Sequence, residues 1–472
     1  MVAHRFKRVL VMEIKTLKRL SFFVLSVAIL GVPGVCGGYE IPQFADVTVH
    51  DPDVIKVGHI YYVFGSHLAS AKSTDLIKWE QVSVDLQPGS TGNRLVPDIF
   101  EEFREVFELI GTKDTWAKTV IMLNGKYYMY FSVSTWGSSK SAIALATSEN
   151  IEGPYRYEGI VLTSGFEETY DPLIHPNAID PHVFRDKENR LWMVYGSYFG
   201  GIYILEMDPE TGLPYEQGYG KRLAGGFHAP MEGPYILYSP HTDYYYLFLS
   251  FGTLSYRGGY NIRVARSKEA DGPYYDSMGN DMRGARGNAL DSYGTKIVGN
   301  FRFTESGIGY VSPGHNSAYY DSELDKYFVF FHTRFPRMGE VHNLRVHQMF
   351  FNYEGWPIMT PHRYGGETLE SYSEAEVAGI YQYINHGRDT SSHIKESTNI
   401  ELKQDGSILR EGDVCGGWEL SSNGCIELTI DGREYDGVVL KQWDNGLKKE
   451  VMVFAALSME NGVSIWGSKI SN

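Results

Sequence analysis

Cysteine is almost missing from this chain, with three in 472 residues. That excludes a disulfide-stapled scaffold. Cys415 and Cys425 have no zinc-type partners nearby, so a structural zinc site is excluded as well. Ten residues apart, these two either close a disulfide loop across a turn or stay as separate thiols. Positive charge is scarce: 43 Lys and Arg stand against 58 Asp and Glu, a formal net charge of −15. Such a surface repels phosphate backbones and excludes nucleic acid as a natural partner. The apolar run of residues 21–32 is too short to span a bilayer, so no integral membrane span is expected. Lys15, Lys18 and Arg19 precede this run and small residues follow it at 34–38, the order of a secretory signal peptide. Residues 1–38 are therefore read as a signal segment, with Met12 an alternative start, and the mature protein as secreted or periplasmic. Cys36 offers a route to lipid tethering, although Val35 before it is larger than such processing favours.

What the chain has in quantity is aromatic residues and glycine: 34 Tyr, 24 Phe, 8 Trp and 51 Gly. Aromatics suit strands and glycine suits tight turns, which favours an all-β fold. A turn followed by an aromatic-rich run recurs five times, with anchors at Tyr61, Tyr127, Trp192, Tyr245 and Phe328, spaced by 53 to 83 residues. Each copy is followed by a second strand that ends in a turn or a Gly-Pro stretch. Several strands per unit with turns between them are what a propeller blade needs. Residues 39–366 are read as a five-bladed β-propeller, and residues 367–472, where the signature stops, as a small C-terminal β-barrel or sandwich. In that second part the Asp-Gly pairs beginning at Asp405, Asp431 and Asp436 mark expected turns. One helix is expected within 98–113, where Phe100, Phe103, Val106, Phe107 and Ile110 follow helical spacing.

The innermost strand of a blade precedes the aromatic strand, so the positions ten to thirteen residues before each anchor should surround the central channel. They are Asp51, Thr115 (followed by Trp116), Asp180, Glu232 and His315. One Asp before a strand is ordinarily a cap or turn residue. Three carboxylates at equivalent positions are harder to explain that way, because like charges disperse unless a cation, protons or function holds them together. Paired carboxylates across a channel are what glycosidic cleavage requires, one protonated and one ionised. A lone His such as His315 is more often hydrogen-bonded than ligating. His342 and His347, five apart on a strand, point to opposite faces and should not share a metal.

The motifs His50-Asp51-Pro52, Asn177-Ala178-Ile179-Asp180-Pro181, Glu232-Gly233-Pro234, Gly314-His315-Asn316 and the stretch from His332 to Pro336 resemble glycoside hydrolase family 43, within it the extracellular endo-α-1,5-L-arabinanases. The resemblance runs through the propeller and into the tail. It implies an inverting hydrolase of plant cell-wall arabinan with Asp51 as general base, Glu232 as general acid and Asp180 tuning the acid's pKa and position. Base and acid should then stand roughly 6.5 to 9.5 Å apart. It also implies substrate contacts from Asp51, Gly137, Asn177, Ala178, Ile179, Asp180, Ser197, Tyr198 and Phe199, and one Ca2+ at the channel centre bound by His315, largely through water. A monomer is expected. One departure is visible: Trp116-Ala117-Lys118-Thr119 stands where many relatives have Trp-Ala-Pro-Asp, which leaves Trp116 either at the channel or in a blade core. The trio alone is also compatible with an exo-acting arabinofuranosidase or β-xylosidase. A non-catalytic carbohydrate-binding propeller fits less well, since a neutral sugar needs no carboxylate cluster.

Overall fold

Each aromatic run becomes the second strand of its own antiparallel sheet, because a left-handed turn folds it back on the strand before it. Asn124 and Gly125 (φ +50 and +79) form one such turn, Asp243 and Asp325 (φ +52 and +53) sit in two others. These strands are Ile60–Phe64, Lys126–Ser134, Leu191–Tyr195, Tyr244–Phe251 and Lys326–Arg334, in a computed structural model that describes residues 41–86, 90–287 and 290–471. The expected signal segment and Cys36 lie outside the described residues. Among those described, no helix is long and apolar enough to cross a membrane.

The partner that precedes each aromatic strand is Asp53–Val57, Thr115–Leu123, His182–Arg185, Met231–Ser239 or Gly309–Asp321, the first of its sheet in every case but the last, which follows the short strand Phe301–Arg302. Three sheets stop at four strands, while the fourth continues into a twelve-stranded sheet and the fifth has six strands. The arrangement is propeller-like, and its cores lie between sheets. One cluster joins Phe64 to Met129, the next Tyr130 to Met193, the next Val194 to Leu247, and the next Phe248 to Val329. A further cluster packs Val54 and Val63 of the first sheet against Phe328 and Phe330 of the fifth. Each buried aromatic or branched side chain in these layers contributes roughly 1.5–3 kcal/mol.

The C-terminal part is a closed eight-stranded barrel, so the sandwich alternative is set aside. It runs from Gly379–Asn385 to Val463–Ser471, and the last strand closes it by pairing with both Gly379–Asn385 and Lys449–Ser458. Closure removes the exposed strand edges that a small open sheet would carry. A parallel bridge between Lys296 and Val463 ties the barrel to the fourth sheet.

Three local expectations changed. The helix expected within 98–113 is two short ones, Ile99–Glu102 and Arg104–Ile110, capped by the Asp98 side chain and by Gly111 at φ +82. Its apolar side packs on the second sheet, with Phe103 stacked 4.3 Å from Phe131. Asp436-Gly437 is not a turn but lies inside strand Arg433–Asp444, where a Cβ on Gly437 would stand 2.0 Å from the Ala455 carbonyl. Glycine is there for close strand approach. Cys415 and Cys425 are free thiols. Their strands pair Gly416 with Ile430 and Leu420 with Ile426, so the two cysteines lie at opposite ends of one hairpin ladder, too far apart to bond.

Candidate active site

Three residues singled out by the repeat share an uncommon backbone: Asp51 (φ +55), Asp180 (φ +57) and His315 (φ +46) are all left-handed. That conformation costs a non-glycine residue roughly 1–3 kcal/mol and persists where surrounding structure enforces it. Asp51 and Asp180 stand two residues before the first strands of their sheets. Glu232 and His315 lie within the strands that precede their aromatic strands, each beside a break in register, between Glu232 and Tyr235 and between Gly314 and Ser317. Bulges of this kind re-aim a side chain out of the strand's regular alternation. Thr115, the fifth equivalent, is buried, and Trp116 beside it faces the same space as the carboxylates.

That space is a cavity of about 450 Å3 lined by Asp51, Asp180, Glu232 and His315 together. Gly137, Asn177, Ile179, Ser197, Tyr198 and Phe199 line it too, but Ala178 does not. Ala178 is fully buried in the core between the second and third sheets, which excludes substrate contact through its side chain. Trp116 and the largely exposed Trp136 form an aromatic wall, ring centroids 6.0 Å apart.

Asp51 is encircled. His50 Nδ1 lies 2.8 Å from its Oδ2 and His315 Nδ1 lies 3.1 Å from its Oδ1, while the Ser66 hydroxyl donates to Oδ2. Its backbone N–H donates to His332 Nδ1 at 3.2 Å, which fixes His332 as a neutral acceptor. Burial alone would raise the Asp51 pKa, but His315 and His50 reverse this and hold it well below the ordinary 3.8. Burial and then the neighbouring Glu232 and Asp51 push Asp180 up to about 7, with His315 acting against them. Glu232 is raised mainly by burial, although Ser197 Oγ and the Tyr260 hydroxyl each donate to it at 2.9 Å. Burial disfavours charge on His315, yet Asp51, Asp180 and Glu232 overcome it and lift the imidazole to about 9. The surroundings thus favour an ionised Asp51 and a charged His315, and bias Asp180 and Glu232 toward keeping a proton.

Two glycines make this packing feasible. A Cβ on Gly233, at φ +60, would meet the His315 ring at 3.0 Å, and one on Gly314 would stand 2.2 Å from the Tyr260 ring. The Gly233 N–H in turn donates to Asp180 Oδ2 at 3.3 Å, which ties Asp180 to the peptide following Glu232.

A family model, glycosyl hydrolases family 43, matches residues 44–357. The chain belongs to this family. A second model, the C-terminal lipocalin-like domain, matches residues 361–467. The chain is 51% identical to a Thermotoga petrophila protein named extracellular endo-alpha-(1->5)-L-arabinanase, over 96% of this chain and all of that one. It is 48% identical to extracellular endo-alpha-(1->5)-L-arabinanase 2 of Bacillus subtilis, over 91% of this chain and 94% of that one. The crystal structure of endo-1,5-alpha-L-arabinanase from Thermotoga petrophila RKU-1 superposes with a TM-score of 0.88 at 52% identity, covering 91% of this chain and 100% of that one.

Within this family 43 chain, several site residues carried no signal in the repeat. His50 and His332 were part of recognisable motifs but had no assigned role; they stack at 4.1 Å behind Asp51. Ser66 and Tyr260 meet their carboxylates from 15 and 28 residues away, through loops that no periodicity marks. Lys118, the departure noted in the second sheet, is buried with its amine donating to the Gly65 carbonyl, and burial lowers its pKa to about 7.

Proposed function

We infer that this family 43 hydrolase cleaves α-1,5-L-arabinofuranosidic bonds within arabinan, with Asp51, Asp180 and Glu232 as its carboxylates. The observation that carries the hydrolytic reading is geometric: three acids from three different sheets converge on one cavity, two of them on left-handed backbone. The relatives' substrate supports arabinan. A neutral chain suits a cavity walled by Trp116, Trp136, Tyr198 and Phe199, whose faces can stack on sugar rings.

In this mechanism Asp51 takes a proton from water as the oxygen attacks the anomeric carbon, and Glu232 gives a proton to the departing glycosidic oxygen from the other face, inverting configuration. The histidines around Asp51 keep it ionised for its role. Asp180 shares the proton of the pair with Glu232 and holds the neighbouring peptide in place. The His315 ring bonds Asp51 and packs on Gly233, the residue after Glu232, so one imidazole touches the surroundings of both base and acid.

The same reading has five sheets closing as five blades; its support is the chain of inter-sheet cores that ends with the first sheet packed on the fifth. It also has export through the N-terminal segment, on the charge and apolar order of residues 1–38, and action as a monomer. Calcium fits in a limited way. The cavity gathers three carboxylates, which favours a cation, but His315 commits Nδ1 to Asp51 and offers only Nε2. Among the described residues the one trio of ligating side chains that converges is His50, Asp51 and His332, mostly imidazole. A hard cation prefers oxygen, so His315 would hold an ion that keeps most of its water. When bound, such an ion supplies positive charge facing the carboxylates.

Product analysis on linear arabinan tests the reading. Early appearance of mixed oligosaccharides is expected, with proton NMR detecting the inverted anomer first. Arabinose alone from the first minutes would sink endo cleavage.

A further inference from the structure

A second cavity, of about 370 Å3, lies at the seam between the fifth sheet and the barrel and shares no lining residue with the first. Its wall carries Arg302, Arg337, Arg345 and Arg363 and no Asp or Glu among the described residues, in a chain of net charge −15. Against the surrounding field, this is a local reversal of sign.

The arginines are pre-arranged. Arg345 lies over the Phe335 ring at 4.8 Å and Arg363 over Phe44 at 3.5 Å. A single carboxylate, Asp46, serves both, 3.3 Å from Arg345 and 2.6 Å from Arg363. Arg302 meets only the largely exposed Glu396, at 3.3 Å. Charge is thus incompletely balanced, and Arg363 Nε is buried without a partner. Tyr310, Phe335 and Trp443 supply apolar walls.

Guanidinium forks recognise planar carboxylates bidentately, aromatic faces accept a sugar ring, and the volume suits one ring with its substituents. We propose that the seam cavity binds a sugar acid, either a free uronate or a uronosyl unit of an acidic polysaccharide. The proposal rests on the polysaccharide-hydrolase reading. It gives the enzyme a second, anion-specific foothold on mixed plant polymers while the carboxylate cavity cuts a neutral chain.

Calorimetric titration of the full chain with galacturonate and with trigalacturonate tests this, beside galactose and inorganic phosphate. Expected is uronate binding that weakens with salt, with no heat from galactose. Tighter trigalacturonate binding assigns the polymer as source, and equal binding the free acid. Arg337→Ala and Arg302→Ala should each weaken binding about tenfold or more, with turnover of neutral linear arabinan unchanged. Absence of uronate binding, or phosphate binding as tight as uronate, overturns the proposal. Failure of wild-type protein to cut linear arabinan would count against the hydrolase reading and is scored separately.

Discussion

The channel cavity and the seam cavity solve opposite electrostatic problems. At the channel, carboxylates that repel one another are brought together from three sheets, two on strained backbone, and are steadied by His315 and by a retained proton. At the seam, guanidiniums from two strands (Arg302, Arg345), a left-handed turn residue (Arg337, φ +68) and a loop (Arg363) are brought together, with Arg345 and Arg363 steadied by aromatic faces and one shared aspartate. The difference teaches where function is costly. Of the arginines only Arg345 is buried as deeply as the carboxylates, which are 5–9% exposed and are pushed in different directions, Asp51 down and Asp180 and Glu232 up, because their surroundings differ. A site built that way is sensitive to removal of single groups, and the barrel side is tolerant.

The sharpest break in the comparison comes from the carboxylates. Glu232→Gln and Asp51→Asn should each lower kcat by ~100- to 10,000-fold, the range of general acid–base catalysis, with the melting temperature preserved. Turnover within tenfold of wild type in either variant refutes the assignment. Next comes Gly233→Ala, which adds a Cβ at φ +60 against the His315 ring and should cost about 1–3 kcal/mol of stability by urea unfolding, together with activity. The matching change on the seam side, Gly307→Ala, has φ +71 but open space around its Cβ, and should cost about 1 kcal/mol at most and leave turnover intact.

Calcium chelation should lower the melting temperature by a few degrees at most, about 1 kcal/mol in a domain of this size, since His315 contributes one ligand at best; no change in either melting or turnover would count against the ion. The smallest effect concerns His347, buried near the seam, where Tyr310 donates to Nε2 and Nδ1 donates to Thr360. Burial holds its pKa down at about 3. The unfolded chain takes up a proton near pH 6.5 and the folded chain does not until about 3, so this contribution to stability is complete above 6.5 and is lost as pH falls toward 3. His347→Gln should flatten part of the loss in urea midpoint between pH 7 and 4.5; an unchanged slope contradicts it. His332, His362 and His386 are depressed in the same direction and add to the slope.

Periodicity was enough to find the carboxylates, because a repeat places equivalent positions at equivalent depths: ten to thirteen residues before an aromatic anchor lies just before or in the strand that precedes it, in every sheet. It could not find Ser66, Tyr260 or the role of His332, because those contacts exist only once separate sheets meet. Ala178 came in with the family resemblance, which names a run of residues from 177 to 180, and the structure turns its side chain into the core between the second and third sheets. The helix split at Phe103 and the strand through Asp436 have the same lesson, since tertiary packing overrode a local turn or helix preference. Barrel rather than sandwich depended on one closing pair of strands that no local pattern encodes.

The bond from the Asp51 amide to His332 spans 281 positions of sequence, and the core beneath it joins the first sheet to the fifth. A ring shut by such distant segments closes late, because loop-closure entropy must be met before the long-range contacts repay it. Asp51, the proposed general base, sits on that join. Refolding chains would therefore regain strand signals and most buried aromatics before any turnover, and the catalytic assay would time the last seam of the ring.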